Sequence, residues 1–500
     1  NKVNNPKPRP EFEIPWHKEM LYVLATDKEA PQNSVSVFIK HKAVEPSAKD
    51  LSYMRRKLII RLMNNMMAVR INELLQKGTP PFISGTIGFS DLVKGVDALV
   101  VSADAKPNEE DKALEAIWKE AERAWRYGFT NGELERAKAN LLTSSENFYK
   151  QKDKIPNDDF INDILENFLY GEPLVSVDFD YEYTKTTVPS ITAEEISDFL
   201  RSMMKTENSV IVVQGQEQQG IKHISEEEAK AIIAKVSSSD IQAYQDNMIT
   251  ESLVDGEIKG SPVIKTKYLR QFDAVEWTLG NGARVVYKKT GYEKDNVLLT
   301  AYSLGGTSLY ELPCLPSATM LPSVIPAYGL GKFDNVTLQK VLAGKNVTLS
   351  ISLGQITESI NGSSSPKDFE TMMQLLYLRF VNPRFDSAAH NAIMSRYSAF
   401  LASMAKEPSK IMQDSMSLFL ADYNPRALIL NNSMLEKVDF GIIEKVYKER
   451  FANAADFTFF IVGNIDEAEA KSLSVKYIGS LPSSPARESF IDRNIRPPEG

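Results

Sequence analysis

Histidine and cysteine are scarce in this sequence, which limits the metal sites that it can form. The 500 residues include four histidines, His17, His41, His223 and His390, and one cysteine, Cys314. No two of the histidines are close enough in sequence to form a local pair, and none belongs to an H-x-x-E-H or H-E-x-x-H pattern. His390 lies in an alanine-rich helical pattern, so we expect a packed or solvated side chain there. We therefore assign no metal ligand and no catalytic residue to this chain, and the substrate-binding residues stay unknown.

The sequence also lacks the residue patterns of a nucleophilic catalytic site and of a phosphate-binding loop. No G-x-S-x-G pattern is present, and Cys314 lies between prolines with no histidine near it in sequence, so we expect it to pack. One cysteine excludes an intrachain disulfide framework, although such a chain fits either the cytosol or the periplasm. The segment Gly329-Leu330-Gly331-Lys332 weakly resembles a phosphate loop, but Pro326 replaces the first glycine and Phe333 replaces the hydroxyl residue. A simple turn is the better interpretation.

Long apolar runs and a strong charge are missing as well. No run is long enough to cross a bilayer or to act as a secretory signal, so no membrane span is expected. The 58 basic and 66 acidic residues give a net charge of −8, which supplies no attraction for nucleic acid or anionic lipid. With 43% hydrophobic residues the composition is globular. Because the chain starts at Asn1 without methionine, we interpret it as a piece of a longer protein.

What the sequence does contain is a duplication. Residues 347–353 and 357–361 predict two strands, followed by helical patterns that begin near Ser365 and Asp386. An earlier region repeats this order, with strands at 84–89 and 99–105 and a helix opening at Pro107. Thr130-Asn131-Gly132-Glu133 then predicts a capping box for the next helix. Each copy ends on an apolar strand before glycine, at 209–213 and at 457–462.

The remaining patterns place the domains. Strands are predicted at 20–25 and 35–40, then a helix at about 48–77 whose methionine-rich face could bind peptides but is better explained as core. Two apolar runs around Asn281-Gly282 predict a hairpin. These patterns predict an α+β fold of two related two-layer domains, each a mainly antiparallel sheet packed against helices. The predicted divisions are a first unit at 1–245, a linker at 246–270, a second unit at 271–485 and an outgoing linker at 486–500.

Four motifs carry a resemblance to a known family. They are Leu279-Gly280-Asn281-Gly282-Ala283-Arg284-Val285-Val286, then Gly305-Gly306-Thr307-Ser308, and earlier Arg70-Ile71-Asn72-Glu73-Leu74 and Glu133-Leu134-Glu135-Arg136-Ala137-Lys138. In this order and spacing the chain resembles the pitrilysin/insulinase zinc metallopeptidases, the inverzincins, and in particular their mitochondrial processing peptidase-like branch. The resemblance extends over nearly the whole chain.

The resemblance implies a position within a larger enzyme. Members have four related α+β domains in two halves that enclose a chamber for a peptide, and this chain resembles the second and third domains. The H-x-x-E-H helix that binds zinc belongs to the first domain, and assisting residues belong to the fourth. The corresponding third-domain helix falls between Leu312 and Lys332, which contains neither histidine nor glutamate, so the second half is degenerate. Zinc is thus expected in the parent protein and not on this chain.

The function implied is that of a non-catalytic middle part of a zinc metalloendopeptidase. It would supply chamber walls and substrate binding for peptides or unfolded chains, and its partners would be the missing first and fourth domains or a catalytic partner subunit. One alternative is a catalytically inactive homologue that acts as a partner subunit or peptide-binding scaffold. Another is a protein that shares only the fold and binds a small ligand in a compact pocket. The habit of the family favours the bacterial periplasm, although the sequence carries no targeting signal.

Overall fold

A computed structural model of the protein describes residues 12–76, 79–246, 251–405 and 407–498. The strands of the first half are β1 (Leu21–Asp27), β2 (Asn33–Lys42), β3 (Ser84–Val93), β4 (Val96–Ala105) and β5 (Ser209–Gln216). Its helices are α1 (Leu51–Leu75), α2 (Glu110–Tyr127), α3 (Asn131–Lys150), α4 (Asn157–Tyr170), α5 (Val177–Thr187), α6 (Ala193–Met203) and α7 (Glu226–Ser238).

The second half contains a similar series of strands and helices, and its sheet has two additional strands at one edge. Its strands are β6 (Val263–Leu269), β7 (Ala274–Leu279), β8 (Arg284–Lys289), β9 (Val297–Leu304), β10 (Val347–Leu353), β11 (Thr357–Ser364) and β12 (Thr458–Gly463). Its helices are α8 (Leu315–Val324), α9 (Asn335–Val341), α10 (Phe369–Val381), α11 (Ser387–Met404), α12 (Pro408–Leu420), α13 (Asn432–Leu435), α14 (Phe440–Arg450) and α15 (Glu467–Tyr477).

The two sheets have the same strand order. The first is β1-β5-β2-β4-β3, and the second is β8-β12-β9-β11-β10, extended beyond β8 by β7 and β6. In each sheet the closing strand, β5 or β12, pairs in parallel with one neighbour and antiparallel with the other, and the remaining pairs are antiparallel. The predicted duplication and the predicted α+β class with mainly antiparallel sheets are therefore confirmed.

Helices cover one face of each sheet because the strands alternate apolar and polar side chains. In β2, Val35, Val37 and Ile39 are buried against helices of the first half, and in β12 Phe459 and Ile461 are buried in the second core. The methionine-rich face of α1 lies in the first core, where a flexible thioether fills irregular space. The core interpretation of that face is confirmed.

Two segments predicted as linkers contain ordered contacts. β6 lies within the predicted linker 246–270 and pairs with β7, so the second sheet begins before residue 271. In the predicted outgoing linker 486–500, Glu488 pairs with Arg450, and the backbone N–H of Ile491 donates to Ser308 Oγ at 3.0 Å. Residues 247–250 of the predicted linker and residues 1–11 of the predicted first unit lie outside the described residues. Among the described helices none is long and apolar enough to span a bilayer.

Candidate functional site

The helix α8 lies within residues 312–332, where the sequence resemblance places the counterpart of the family's catalytic helix, and its side chains are used for packing. Leu315, Met320, Leu321 and Val324 are buried in the second core. Ser317 is also buried, and its Oγ accepts a hydrogen bond from the backbone N–H of Asp439 at 2.9 Å. No side chain of α8 is a histidine or a carboxylate, so this helix has nothing with which to bind zinc or to activate water.

His390 is the histidine that packs near this region, and its environment is that of a core residue. Its Nδ1 lies 2.7 Å from the hydroxyl of Tyr328, and its ring packs 5.2 Å from the ring of Phe440. Burial lowers the pKa of His390, so the neutral imidazole is favoured and the Tyr328 hydroxyl can donate to Nδ1. His390 is thus packed, one of the two environments expected for it.

Each of the other described histidines has a hydrogen-bond partner of its own, and for His17 it is the carbonyl of Glu19, 2.6 Å from Nδ1. His41 Nε2 contacts the carbonyl of Met203 at 2.8 Å, and His223 Nδ1 lies 2.7 Å from Glu110 Oε1. Within the described ranges, one group of three side chains has the spacing of a cation site, and it consists of Glu358, Asp456 and Glu488 without a histidine.

The carboxylates of Glu358, Asp456 and Glu488 already have hydrogen-bond or ion-pair partners within the protein. Arg450 donates to both carboxylate oxygens of Glu488, at 2.6 and 3.1 Å, and its guanidinium lies 3.6 Å from Glu358. Glu358 also accepts the backbone N–H of Gly306 at 2.7 Å, and Asp456 accepts the Ser303 hydroxyl at 2.8 Å. Burial raises the pKa of Glu358. We interpret the group as a structural ion network that fixes the Gly305-Gly306 turn.

The glycines of that turn are required by geometry. Gly305 and Gly306 have φ values of 142° and 57°, which side-chain-bearing residues rarely adopt. A Cβ atom on Gly305 would lie 2.7 Å from Nη1 of Arg450. The Gly305-Gly306 turn, which resembles the segment before the family's catalytic helix, is therefore held in this chain against the arginine–carboxylate network.

The two halves meet where α9 of the second half lies against α1 and α3 of the first. Lys340 on α9 donates to Glu73 Oε1 at 2.8 Å and to the Tyr244 hydroxyl at 3.1 Å, and it lies 3.6 Å from Asp246. Asp246 in turn accepts from Arg136 of α3 at 2.7 Å. This contact joins side chains from both halves and from the segment that connects them into one charged network.

A buried arginine lies directly beside this network. Arg70 is 1% exposed, and it donates to the two carboxylate oxygens of Glu133 at 2.6 and 2.9 Å. Its guanidinium packs between the rings of Phe129 and Tyr244, at 5.0 and 4.3 Å from their centroids. Glu133 is also the third residue of the predicted capping box, which is present with Thr130. The structure therefore brings together the two family-like motifs that begin at Arg70 and Glu133.

The same interface forms a half-open cavity of about 470 Å³. Its walls come from the C-terminal part of α1, the N-terminal part of α3, the length of α9 and one residue of α11. No pattern in the sequence predicts this site. Its members are distant in sequence, and a short helix such as α9 or an aperiodic segment such as that around Asp246 carries no local signal.

Two helices leave an unusual amount of apolar surface uncovered. α4 has no buried residue, yet it carries apolar and aromatic side chains that are about 40% exposed or more: Phe160, Ile161, Ile164, Leu165, Phe168 and Tyr170. α12 likewise has no buried residue, and its exposed side chains are Ile411, Met412, Met416, Phe419 and Leu420. Since α4 follows α3 as α12 follows α11, the two helices occupy equivalent positions in the duplicated fold.

Comparison with known proteins identifies relatives along the whole chain. It is 21% identical over 490 residues to a zinc protease PQQL-like protein of Arabidopsis thaliana, covering 96% of this chain and 45% of that protein. It is 21% identical over 471 residues to the probable zinc protease PqqL of Escherichia coli K12, covering 93% of this chain and 50% of that protein. The chain thus spans about half the length of these curated relatives. No family model matches it.

Solved structures give the same picture at the level of the fold. The crystal structure of pitrilysin matches this chain with a TM-score of 0.56 and 14% identity, over 96% of this chain and 51% of that chain. The chain is similar in sequence to these zinc proteases and in fold to pitrilysin. A mutant of the ferredoxin protease FusC, solved with Arabidopsis ferredoxin, matches with a TM-score of 0.61 and 15% identity, over 99% of this chain and 54% of that chain. The family resemblance predicted from the sequence is confirmed.

Proposed function

We propose that this chain is the non-catalytic middle part of a zinc-dependent metalloendopeptidase and that it supplies chamber walls and substrate-binding surface. The observation that carries the proposal is a contrast between its fold and its side chains. The duplicated α+β fold resembles that of pitrilysin over 96% of the chain, whereas α8 has no metal ligand. A protease-like scaffold without catalytic side chains is suited to hold a substrate rather than to cleave it.

The residues present do not fit a zinc ion. A catalytic zinc site needs about three nitrogen, sulfur or carboxylate ligands arranged around one point. In the described part of the chain His390 is packed against Tyr328 and Phe440, and the Glu358 group is engaged by Arg450, a backbone N–H and a serine hydroxyl. The zinc of the intact protein would accordingly be held elsewhere, in a first domain, and the remaining chamber would need a fourth domain or a partner subunit.

The proposed substrate is a peptide or an unfolded polypeptide. The helices α4 and α12 offer exposed apolar side chains, a surface that a monomeric protein rarely leaves open unless it contacts something. A polypeptide without a folded core presents matching apolar side chains. For the compartment, we propose the bacterial periplasm on the habit of the family, and cell fractionation of the producing organism would test this.

The experiment measures metal content and peptidase activity on the purified chain and on the intact parent. We expect the chain to carry far less than one zinc per molecule and to leave unfolded polypeptide uncleaved, while the parent carries zinc and cleaves it. One zinc per chain that survives mild chelation would contradict the assignment of ligands. A parent that has neither zinc nor activity would favour the alternative of an inactive scaffold or partner subunit.

A further inference from the structure

The cavity between the two halves contains a cationic group that the protein does not neutralise. Of the basic side chains in its wall, Lys340 is paired with Glu73 and Arg136 is paired with Asp246. Arg396 of α11 is different, because within the described ranges its guanidinium has no hydrogen-bond acceptor and no carboxylate in ion-pair distance. The cavity therefore has one uncompensated positive charge.

That charge is partly removed from water. Arg396 is half-buried, and burial lowers the pKa of its guanidinium. A partly desolvated guanidinium without a partner is energetically unfavourable, because it has lost hydrogen bonds to water. A planar anion that accepts two parallel hydrogen bonds can replace them. Carboxylate has this geometry, so the chemistry of Arg396 favours a carboxylate ligand.

The rest of the wall is rich in side-chain amides with unused hydrogen-bonding groups. Asn65, Asn72, Gln76, Asn335 and Gln339 line the cavity, and none of these amides has a hydrogen-bond partner among the residues that the structure describes. Each amide offers two donors and one acceptor with two lone pairs. A peptide backbone presents the same mixture of N–H and C=O groups, so these amides match it better than they match an apolar molecule.

We propose that this cavity is a binding site for a short peptide with a free C-terminal carboxylate, in which Arg396 binds the carboxylate and the amides bind the peptide backbone. The volume of about 470 Å³ lies in the range of about 300–1,000 Å³ typical of small-ligand pockets. The choice of a peptide rests on the proposed function, since a protease scaffold meets peptides with free carboxylates.

Charge argues against more highly charged ligands. Glu73 and Glu133 also line the cavity, and although both are paired, they would repel a ligand with two negative charges more than one with a single charge. A peptide that ends in one carboxylate and carries no acidic side chain therefore fits the cavity better than a phosphate or a free dicarboxylate does.

Calorimetric titration of the chain with three probes tests this site without requiring turnover. The probes are tri-alanine with a free carboxylate, tri-alanine with a C-terminal amide, and succinate. We expect the free acid to bind and the amide to bind about tenfold more weakly, the loss expected for a charge-assisted hydrogen bond. Succinate is expected to bind no better than the amide. Equal binding of succinate and the free acid would overturn the assignment to a peptide.

Variants locate the effect at Arg396. In Arg396→Gln, binding of the free acid should fall to the level of the amide, and Arg396→Lys should retain part of the preference. Arg284→Gln is the control, because Arg284 is an exposed arginine on β8 and does not line the cavity. The proposal is overturned if neither tripeptide binds, or if Arg396→Gln still distinguishes acid from amide. Because zinc content and cleavage are measured separately, failure here is distinguishable from failure of the proposed function.

Discussion

Lys340 of the second half and Glu73 of the first half form an ion pair at 2.8 Å, and both side chains are largely shielded from water. The ammonium group also reaches the Tyr244 hydroxyl and approaches Asp246. The Lys340 side chain of α9 thereby contacts Glu73 on α1 as well as Tyr244 and Asp246 in the segment between the halves. We infer that this contact sets the relative position of the two halves.

Replacing Lys340 with methionine should weaken that contact. The variant keeps much of the side-chain volume but leaves Glu73 without its cation, while Asp246 keeps its ion pair with Arg136. Breaking a buried pair in this way typically costs about 3–5 kcal/mol. Since the Lys340 side chain is still 10% exposed, we expect the lower end of that range. Urea unfolding of the chain and its variant measures the change in the free energy of unfolding.

Lys448→Met is the matched control for this variant. Lys448 pairs with Glu444 one helical turn away on α14, and its side chain is 59% exposed. A surface pair of this kind contributes about 0.3–0.5 kcal/mol, so the control should unfold nearly as the unaltered chain does. Equal losses in the two lysine variants would contradict a special role for Lys340.

Glu172 provides a second prediction, which concerns pH. It follows α4 and accepts hydrogen bonds from Lys49, Lys57 and Tyr53 at 2.6 Å each. Burial by itself would raise the pKa of Glu172, but these hydrogen bonds outweigh it and hold the pKa at about 2, compared with 4.5 in the absence of the fold. The carboxylate therefore joins the start of α1 to the connection between α4 and α5.

The sign of the pH effect follows from this lowered pKa. The stabilisation is fully present above pH 4.5 and is lost as the pH falls from about 4.5 towards 2, because the folded state resists protonation more than the unfolded state does. Glu172→Gln should cost about 2 kcal/mol at pH 7, less than the full pKa shift implies, because water screens the half-exposed Lys57. In urea titrations at several pH values, the gap between the two proteins should narrow only below pH 4.5. A gap that stays constant down to pH 3 would contradict the paired-carboxylate explanation.

Much of the fold could be predicted because its signals are local. The capping box of Thr130 and Glu133, the turn at Asn281-Gly282 and the alternation in β10 each depend on a few neighbouring residues, and all three occur in the structure. Thr192 and Glu195 show the limit of such signals. Thr192 caps α6, but the Glu195 carboxylate pairs with Arg55 of α1, an interaction that no local pattern announces.

The candidate site was harder to predict because it exists only in three dimensions. Lys340, Tyr244 and Glu73 lie far apart in the sequence and come from three different segments. β6 was missed for a related reason. Since it is an edge strand with mostly exposed side chains, it lacks the regular apolar alternation of a half-buried strand. Strand patterns report burial, and both the interface and the exposed edge depend on partners that a single sequence does not reveal.

The last prediction tests whether the exposed helices bind substrate. Phe168 on α4 is 80% exposed, so Phe168→Ser should change the free energy of unfolding by no more than about 0.5 kcal/mol. If an unfolded polypeptide covers this ring, the same variant should weaken binding of a reduced, carboxymethylated protein by about tenfold, as expected when one aromatic anchor is lost. Tyr292→Ser is the control, because Tyr292 is 81% exposed but lies in a loop of the second half.

Phe419→Ser on the equivalent helix α12 should weaken binding as Phe168→Ser does, since duplicated halves present the two helices in the same way. Equal binding by the unaltered chain and by all three variants would show that the uncovered helices contact something other than the substrate.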